Sequence, residues 1–211
     1  MDTEASLRRL SSDRPLYDPA QDRLGYAPFA KHLADSICDL APTEGFVMAL
    51  FGPWGSGKTT ALAFIEHYLD DLPVEQRPVI VHFNPWWFSG HEDIARQFLT
   101  QLQATLGARQ ALSPDVIKKI ERFTKALSKA PVPQSGLFQY ISDIVGWFNP
   151  ENKDIPELKK SIADQLRDQQ QHILVVIDDI DRLTSEEIQQ LFRSIKALAD
   201  FPYITYLMDF D

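Results

Sequence analysis

The chain has 211 residues, 44% apolar and 24% charged, close to globular averages and long enough to bury one sizeable core, so one domain with an insertion is the simplest expectation. A formal charge of -9 argues against bare DNA or RNA as the main partner, because affinity there comes largely from Lys and Arg neutralising phosphates. A single cysteine, Cys38, excludes an internal disulfide and points to an intracellular setting; beside Leu33 and Ile37 it reads as a small buried hydrophobe.

The opening "MDTEASLRRLSSDRP" lacks the apolar run of a secretory signal, which makes the cytoplasm the expected location. Residues 1–25 are polar and proline-bearing. From about Pro28 to Leu40, Phe29, Leu33 and Ile37 recur at helical spacing. "FVMALF", Phe46 to Phe51, reads as a buried strand, being short, continuously apolar and bounded by glycine on both sides. The glycine-rich "FGPWGSGKTT" follows, and Leu62, Ile65 and Leu69 then mark one face of a helix lasting until Pro73. A second strand is predicted over Val79 to Asn84, which completes a βαβ unit. Just past it, the aromatic residues of "HFNPWWFSG" read better as a core plug between strand and insertion than as a partner surface.

Ile94, Phe98, Leu102 and Leu106 repeat every four residues and predict a helix. Ser113, Pro114 and Asp115 look like a cap, a first-turn proline and an acidic first turn, opening a helix with Ile117, Ile120 and Phe123. Another helix is expected from Pro156 to about Gln170, with Leu158, Ile162 and Leu166 on one face. Between these two, "GLFQYISDIVGWF" (Gly136 to Phe148) is the best membrane candidate, but it carries Asp143 and is shorter than the roughly 20 apolar residues a span needs. Peripheral contact with a membrane or a partner stays open. "HILVVIDDIDRL" then reads as a central parallel strand ending in carboxylates. Thr184 and Glu187 form a capping box for a helix lined by Ile188, Leu191, Ile195 and Leu198, and "YITYLMDFD" is a fourth strand. The alternation of strand and helix is that of an α/β domain.

In a doubly wound sheet, ligands bind outside the carboxyl ends of the strands, where both the glycine loop and Asp178 fall. The spacing Gly52, four residues, Gly57-Lys58-Thr59 suits a loop whose backbone N–H groups meet a phosphate at a helix N-terminus. Gly55 and Gly57 allow close approach, Lys58 supplies positive charge to the β and γ phosphates, and the Thr59 hydroxyl suits Mg²⁺. Trp54, Ser56 and Thr60 complete the candidate nucleotide-binding set. Asp178 would hold the same Mg²⁺, and Asp179 is the candidate to orient or activate the attacking water, with a side chain one methylene shorter than the glutamate common at that place. A flexible turn is the plainer reading of the loop alone, and solubility that of "VVIDD" alone; their shared placement favours function. Asp181 and Arg182 either pair with neighbouring segments or form a solvated cluster at a helix start. Tyr17, Arg23 and Leu24 read as an ordered strap, with contact to a base as the alternative. The lack of an Asn-Lys-x-Asp stretch favours adenine over guanine.

With these motifs in place, the chain resembles the KAP family of P-loop NTPases. The resemblance runs through "DRPLYDPAQDRLGYAPFAKHLADSI", "FGPWGSGKTT" as Walker A, "HFNPWWFSGHEDI", "VVIDDIDRL" as Walker B and "FPYITYLMDFD". It implies an additional-strand P-loop domain with a parallel sheet flanked by helices, a mainly helical insertion between Walker A and Walker B, and binding and hydrolysis of ATP with Lys58, Thr59 and Asp178 in the roles above. Members often act as ATP-dependent switches or scaffolds, some in phage defence. Many carry transmembrane helices in the insertion, where this chain has the short 136–148 stretch, and the family pattern continues past the fourth strand, where this sequence stops. The expected layout is one domain over 1–211: strap and helix to 45, Walker A βαβ core over 46–104, helical insertion over 105–171, and Walker B strand, helix and fourth strand over 172–211. The expected function is a Mg-dependent ATPase switch working with a protein partner or by self-assembly, without direct nucleic-acid binding. Two alternatives stand beside it: a nucleotide-holding scaffold without turnover, motivated by Asp179 and the early stop, and a small-molecule kinase.

Overall fold

In the computed structural model, four strands form one parallel sheet in the order β1-β4-β3-β2. They are β1 (Phe46–Phe51), β2 (Val79–Phe83), β3 (Ile173–Ile177) and β4 (Ile204–Phe210). The structure describes residues 14–39, 44–90, 94–109, 111–128, 154–198 and 201–210. The apolar 136–148 stretch therefore lies outside the described residues, among which no helix is long and apolar enough to cross a membrane.

The helices stand close to where periodicity predicts them. They are α1 (Tyr26–Asp39), α2 (Lys58–Asp70), α3 (Ile94–Ala108), α4 (Pro114–Ser128), α5 (Asp154–Gln169) and α6 (Ser185–Leu198). Asp22 collects the amides of Leu24, Gly25 and Ala27 ahead of α1, and Thr184 with Glu187 makes the expected reciprocal box ahead of α6. Such caps satisfy N–H groups that have no partner inside a first helical turn.

Side chains alternate across a strand, so β2, β3 and β4 each feed two cores. Ile173, Val175 and Ile177 of β3, with Ile204, Tyr206 and Met208 of β4, join Phe98, Leu102 and Leu106 of α3, Val116 and Ile120 of α4, and Ile162 of α5. On the opposite face, Leu174, Val176 and Leu207 meet Ala30, Ala34 and Ile37 of α1 and Leu62, Phe64, Ile65 and Leu69 of α2. β3 is buried along its whole length, as a continuous β-branched run predicts.

Two expectations need correction. "FVMALF" is a strand but not a buried one: Phe46, Val47 and Phe51 are exposed. Among the described residues β1 is an edge strand paired only with β4, so only Met48 and Leu50 reach the core beneath α1 and α2. The aromatic run after β2 is a plug only at Phe88, which stacks on Phe83 at 5.7 Å, whereas Trp86 and Trp87 remain 47% and 69% exposed. The cause is a short 3₁₀ turn, Pro85–Phe88, which carries the two tryptophans outward while Phe88 turns in.

Candidate nucleotide site

The loop between β1 and α2 begins by prolonging the sheet: the Gly52 amide donates to the Phe210 carbonyl at 3.2 Å. Gly55 and Gly57 then adopt φ of +79° and +89°, the left-handed region that side chains rarely visit, and Gly57 is the N-cap of α2. Tyr26 of α1 covers this point. Its hydroxyl donates to the Ser56 carbonyl, and a Cβ at Gly57 would stand 3.0 Å from its ring. The strap also reaches α2, through the Leu16 amide to Thr60 Oγ1 at 3.3 Å. Tyr17 and Leu24 of this segment are exposed.

Strand parity decides which side chains join the loop. Asp178 follows Val176 by two residues and Asp209 follows Leu207 by two, so both carboxylates continue the α2 face of their strands. Lys58, first residue of α2, donates from Nζ to the Gly52 carbonyl at 2.8 Å and stands 3.9 Å from Asp209 Oδ1. Burial and the adjacent Asp178 carboxylate push Asp209 up to about 7, against a smaller downward pull from Lys58. Asp209 was not singled out in the sequence reading. The signal that would have found it is its parity with Leu207, which turns it inward.

The loop residues Gly52, Trp54, Gly55, Ser56, Gly57, Lys58, Thr59 and Thr60 therefore lie around the N-terminus of α2, with Asp178 at the end of the central strand β3, which β4 separates from β1. Trp54 is strongly exposed and Thr59 is also open to solvent. A divalent cation fits this donor set, because two carboxylates crowded at one place ask for a counter-charge beyond Lys58, and a hydroxyl and a carboxylate are oxygen donors of the kind Mg²⁺ takes.

Asp179 belongs to a different cluster. Its Oδ2 accepts from Asn84 Nδ2 at 2.7 Å and its Oδ1 is 2.7 Å from Arg182 Nε, so Arg182 pairs with a neighbour rather than dissolving in a solvated cluster. Nearby, Glu187 gathers Ser89 Oγ, the Gly90 amide and the Thr184 amide, tying the corner after β2 to the start of α6.

Residues 26–211 match the model of the KAP family P-loop domain. The phage T7 exclusion protein of Escherichia coli (strain K12) is 29% identical over 229 aligned positions, covering 94% of this chain and 30% of its own length. This chain thus spans about a third of that relative. Among solved structures, Cdc6p from Pyrobaculum aerophilum superposes with a TM-score of 0.47 at 16% identity, over 94% of this chain and 42% of that one.

Proposed function

The chain belongs to the KAP family of P-loop NTPases, a nucleotide-binding fold, and on that premise we propose that it binds Mg·ATP between the 52–57 loop and Asp178 and cleaves it to drive a change of conformation or assembly. The observation that carries the reading is the convergence of Lys58, Asp178 and Asp209 at the N-terminus of α2, the end of a helix whose dipole favours phosphate. Gly55 and Gly57 supply the left-handed backbone that lets such a loop turn its amides to an anion. Lys58 leaves its contact with the Gly52 carbonyl to meet the β and γ phosphates. Thr59 and Asp178 would hold the magnesium ion, which would supply neutralisation of charge on the phosphate oxygens.

In the cleavage step, water forms a bond to the γ phosphorus while the bond from that phosphorus to the β–γ bridging oxygen breaks. Asp179 takes the proton lost by the water, and the nucleoside diphosphate leaves with the bridging oxygen. The absence of a guanine-reading motif supports ATP as the nucleotide. The similarity to the phage T7 exclusion protein of E. coli supports a place in phage exclusion. The cytoplasm as its location, and a protein partner or a second copy as its companion, follow from the sequence expectations alone. A scaffold that holds nucleotide without turnover is the second reading, favoured by the engagement of both Asp179 oxygens with other side chains.

Thermal unfolding of wild type and Lys58→Ala with Mg·ATP, Mg·ADP and Mg·GTP tests the binding step, because a ligand that binds only the folded state stabilises it by RT ln(1 + [L]/Kd). A rise in Tm with adenine nucleotides that disappears in the variant is expected. A folded wild type that none of the three nucleotides shifts would overturn the reading. Single-turnover cleavage, lost in Asp179→Ala, then separates switch from scaffold.

A further inference from the structure

Asn84 is tied at both ends of its amide. Its Oδ1 accepts from the Trp86 backbone N–H at 3.1 Å, which orients the group so that Nδ2 faces Asp179 and donates to Oδ2. The other Asp179 oxygen is held by Arg182 Nε. The Arg182 guanidinium in turn lies over the Trp86 ring, 5.4 Å from its centroid. These four residues close a circuit, Asn84 to Asp179 to Arg182 to Trp86 and back to Asn84, which joins the end of β2 to the end of β3. Asp179 sits in it with φ 59° and ψ 32°, left-handed backbone in a residue that is not glycine.

We propose that Asn84 and Arg182 are positioning residues that clamp the Asp179 carboxylate at rest, so that the Asn-Pro-Trp-Trp turn sets the rate of nucleotide cleavage without setting nucleotide affinity. The inference rests on the nucleotide-cleaving reading above and concerns the same site. A carboxylate takes a proton from water through an oxygen lone pair directed at that water. Here each oxygen already accepts from a donor, Oδ2 from Asn84 and Oδ1 from Arg182, so neither presents a free lone pair to a water. Lys58 and the glycine loop lie outside the circuit, so opening it leaves the phosphate contacts in place. The position of the clamp also gives the exposed tryptophans a role. Trp86 holds the guanidinium against Asp179, and displacement of the 85–88 turn loosens both arms together.

The test uses the full chain and compares wild type, Asn84→Ala, Asn84→Ser, Arg182→Ala and Asp179→Asn, alone and with Asn84→Ala. Two quantities are read: Kd for Mg·ATP by titration, and single-turnover cleavage at saturating Mg·ATP. Serine keeps a hydroxyl able to cap the Trp86 amide but is too short to reach Asp179, so it answers the question should Asn84→Ala fail to fold. Freeing one charge-assisted hydrogen bond is expected to speed cleavage about tenfold with Kd held within about twofold, and the gain should vanish in the Asp179→Asn background. Cleavage by the Asn84 variants equal to or slower than wild type at unchanged Kd overturns the clamp alone. Binding without cleavage in every variant overturns it too, because release should expose a competent base. A wild type that binds no Mg·ATP overturns the nucleotide reading itself.

Discussion

The Glu187 carboxylate accepts the Gly90 amide at 2.8 Å across 97 positions of sequence, joining the corner after β2 to the first turn of α6. The Thr184 amide and hydroxyl and the Ser89 hydroxyl complete its shell. These donors, the Gly90 amide first and the Thr184 amide next, hold Glu187 down at about 2, below the ordinary glutamate range near 4.5. A folded-state value depressed in this way means that the unfolded chain binds the proton more readily. The stabilisation is therefore complete above the unfolded pKa and disappears as pH falls from about 5 towards 2. Wild type should lose stability through that window in urea unfolding followed against pH. Glu187→Gln should flatten the acid limb and lower stability at neutral pH by about 1–3 kcal/mol, the cost of leaving buried donors short of an acceptor. Unchanged acid limbs would show that the corner is held some other way.

Gly57 and Tyr26 make a second relationship that can be separated into parts. Alanine at 57 meets two penalties, left-handed backbone and a Cβ 3.0 Å from the Tyr26 ring. Gly57→Ala should destabilise by about 1–3 kcal/mol, whereas Tyr26→Phe, which loses only the bond to the Ser56 carbonyl, should cost about 1 kcal/mol. In a double-mutant cycle with Tyr26→Ala, the steric part of the Gly57→Ala penalty should be relieved, leaving the backbone part. Strict additivity in thermal or urea unfolding would mean that Tyr26 does not cover the loop in solution.

Most of this architecture was legible because period and length agree along the chain. β3 could be read as central from five apolar residues in a row, and the start of α6 from a threonine and glutamate three apart. The same signals misled at β1, since continuous apolarity marks a strand able to be buried on two faces but does not say whether helices cover both. Asp209 was missed for a related reason: an acid at a strand end looks solvated until the alternation of Leu207 and Asp209 is followed onto the α2 face. Asn84 and Asp179, 95 positions apart, meet only because β2 and β3 are sheet neighbours, a pairing that no local pattern encodes.

The split within the aromatic residues around β2 gives the last prediction. Phe98 is fully buried, with its ring edge-on to Phe83 at 5.1 Å and tilted against Tyr206 at 6.4 Å, so it fastens α3 to both β2 and β4. Truncating such a ring removes apolar burial and leaves a cavity, and Phe98→Ala should destabilise by about 3–5 kcal/mol. Trp87 is larger, and as the core plug expected from sequence it would cost at least as much. On the exposed side of the 3₁₀ turn it keeps most of its surface in water in the folded state, so Trp87→Ala should change stability by less than about 0.5 kcal/mol. Urea unfolding of the two variants checks the contrast directly. A Trp87→Ala loss approaching that of Phe98→Ala would mean that the turn packs inward in solution, and the outward tryptophan face beside Asn84 and Asp179 would have to be abandoned.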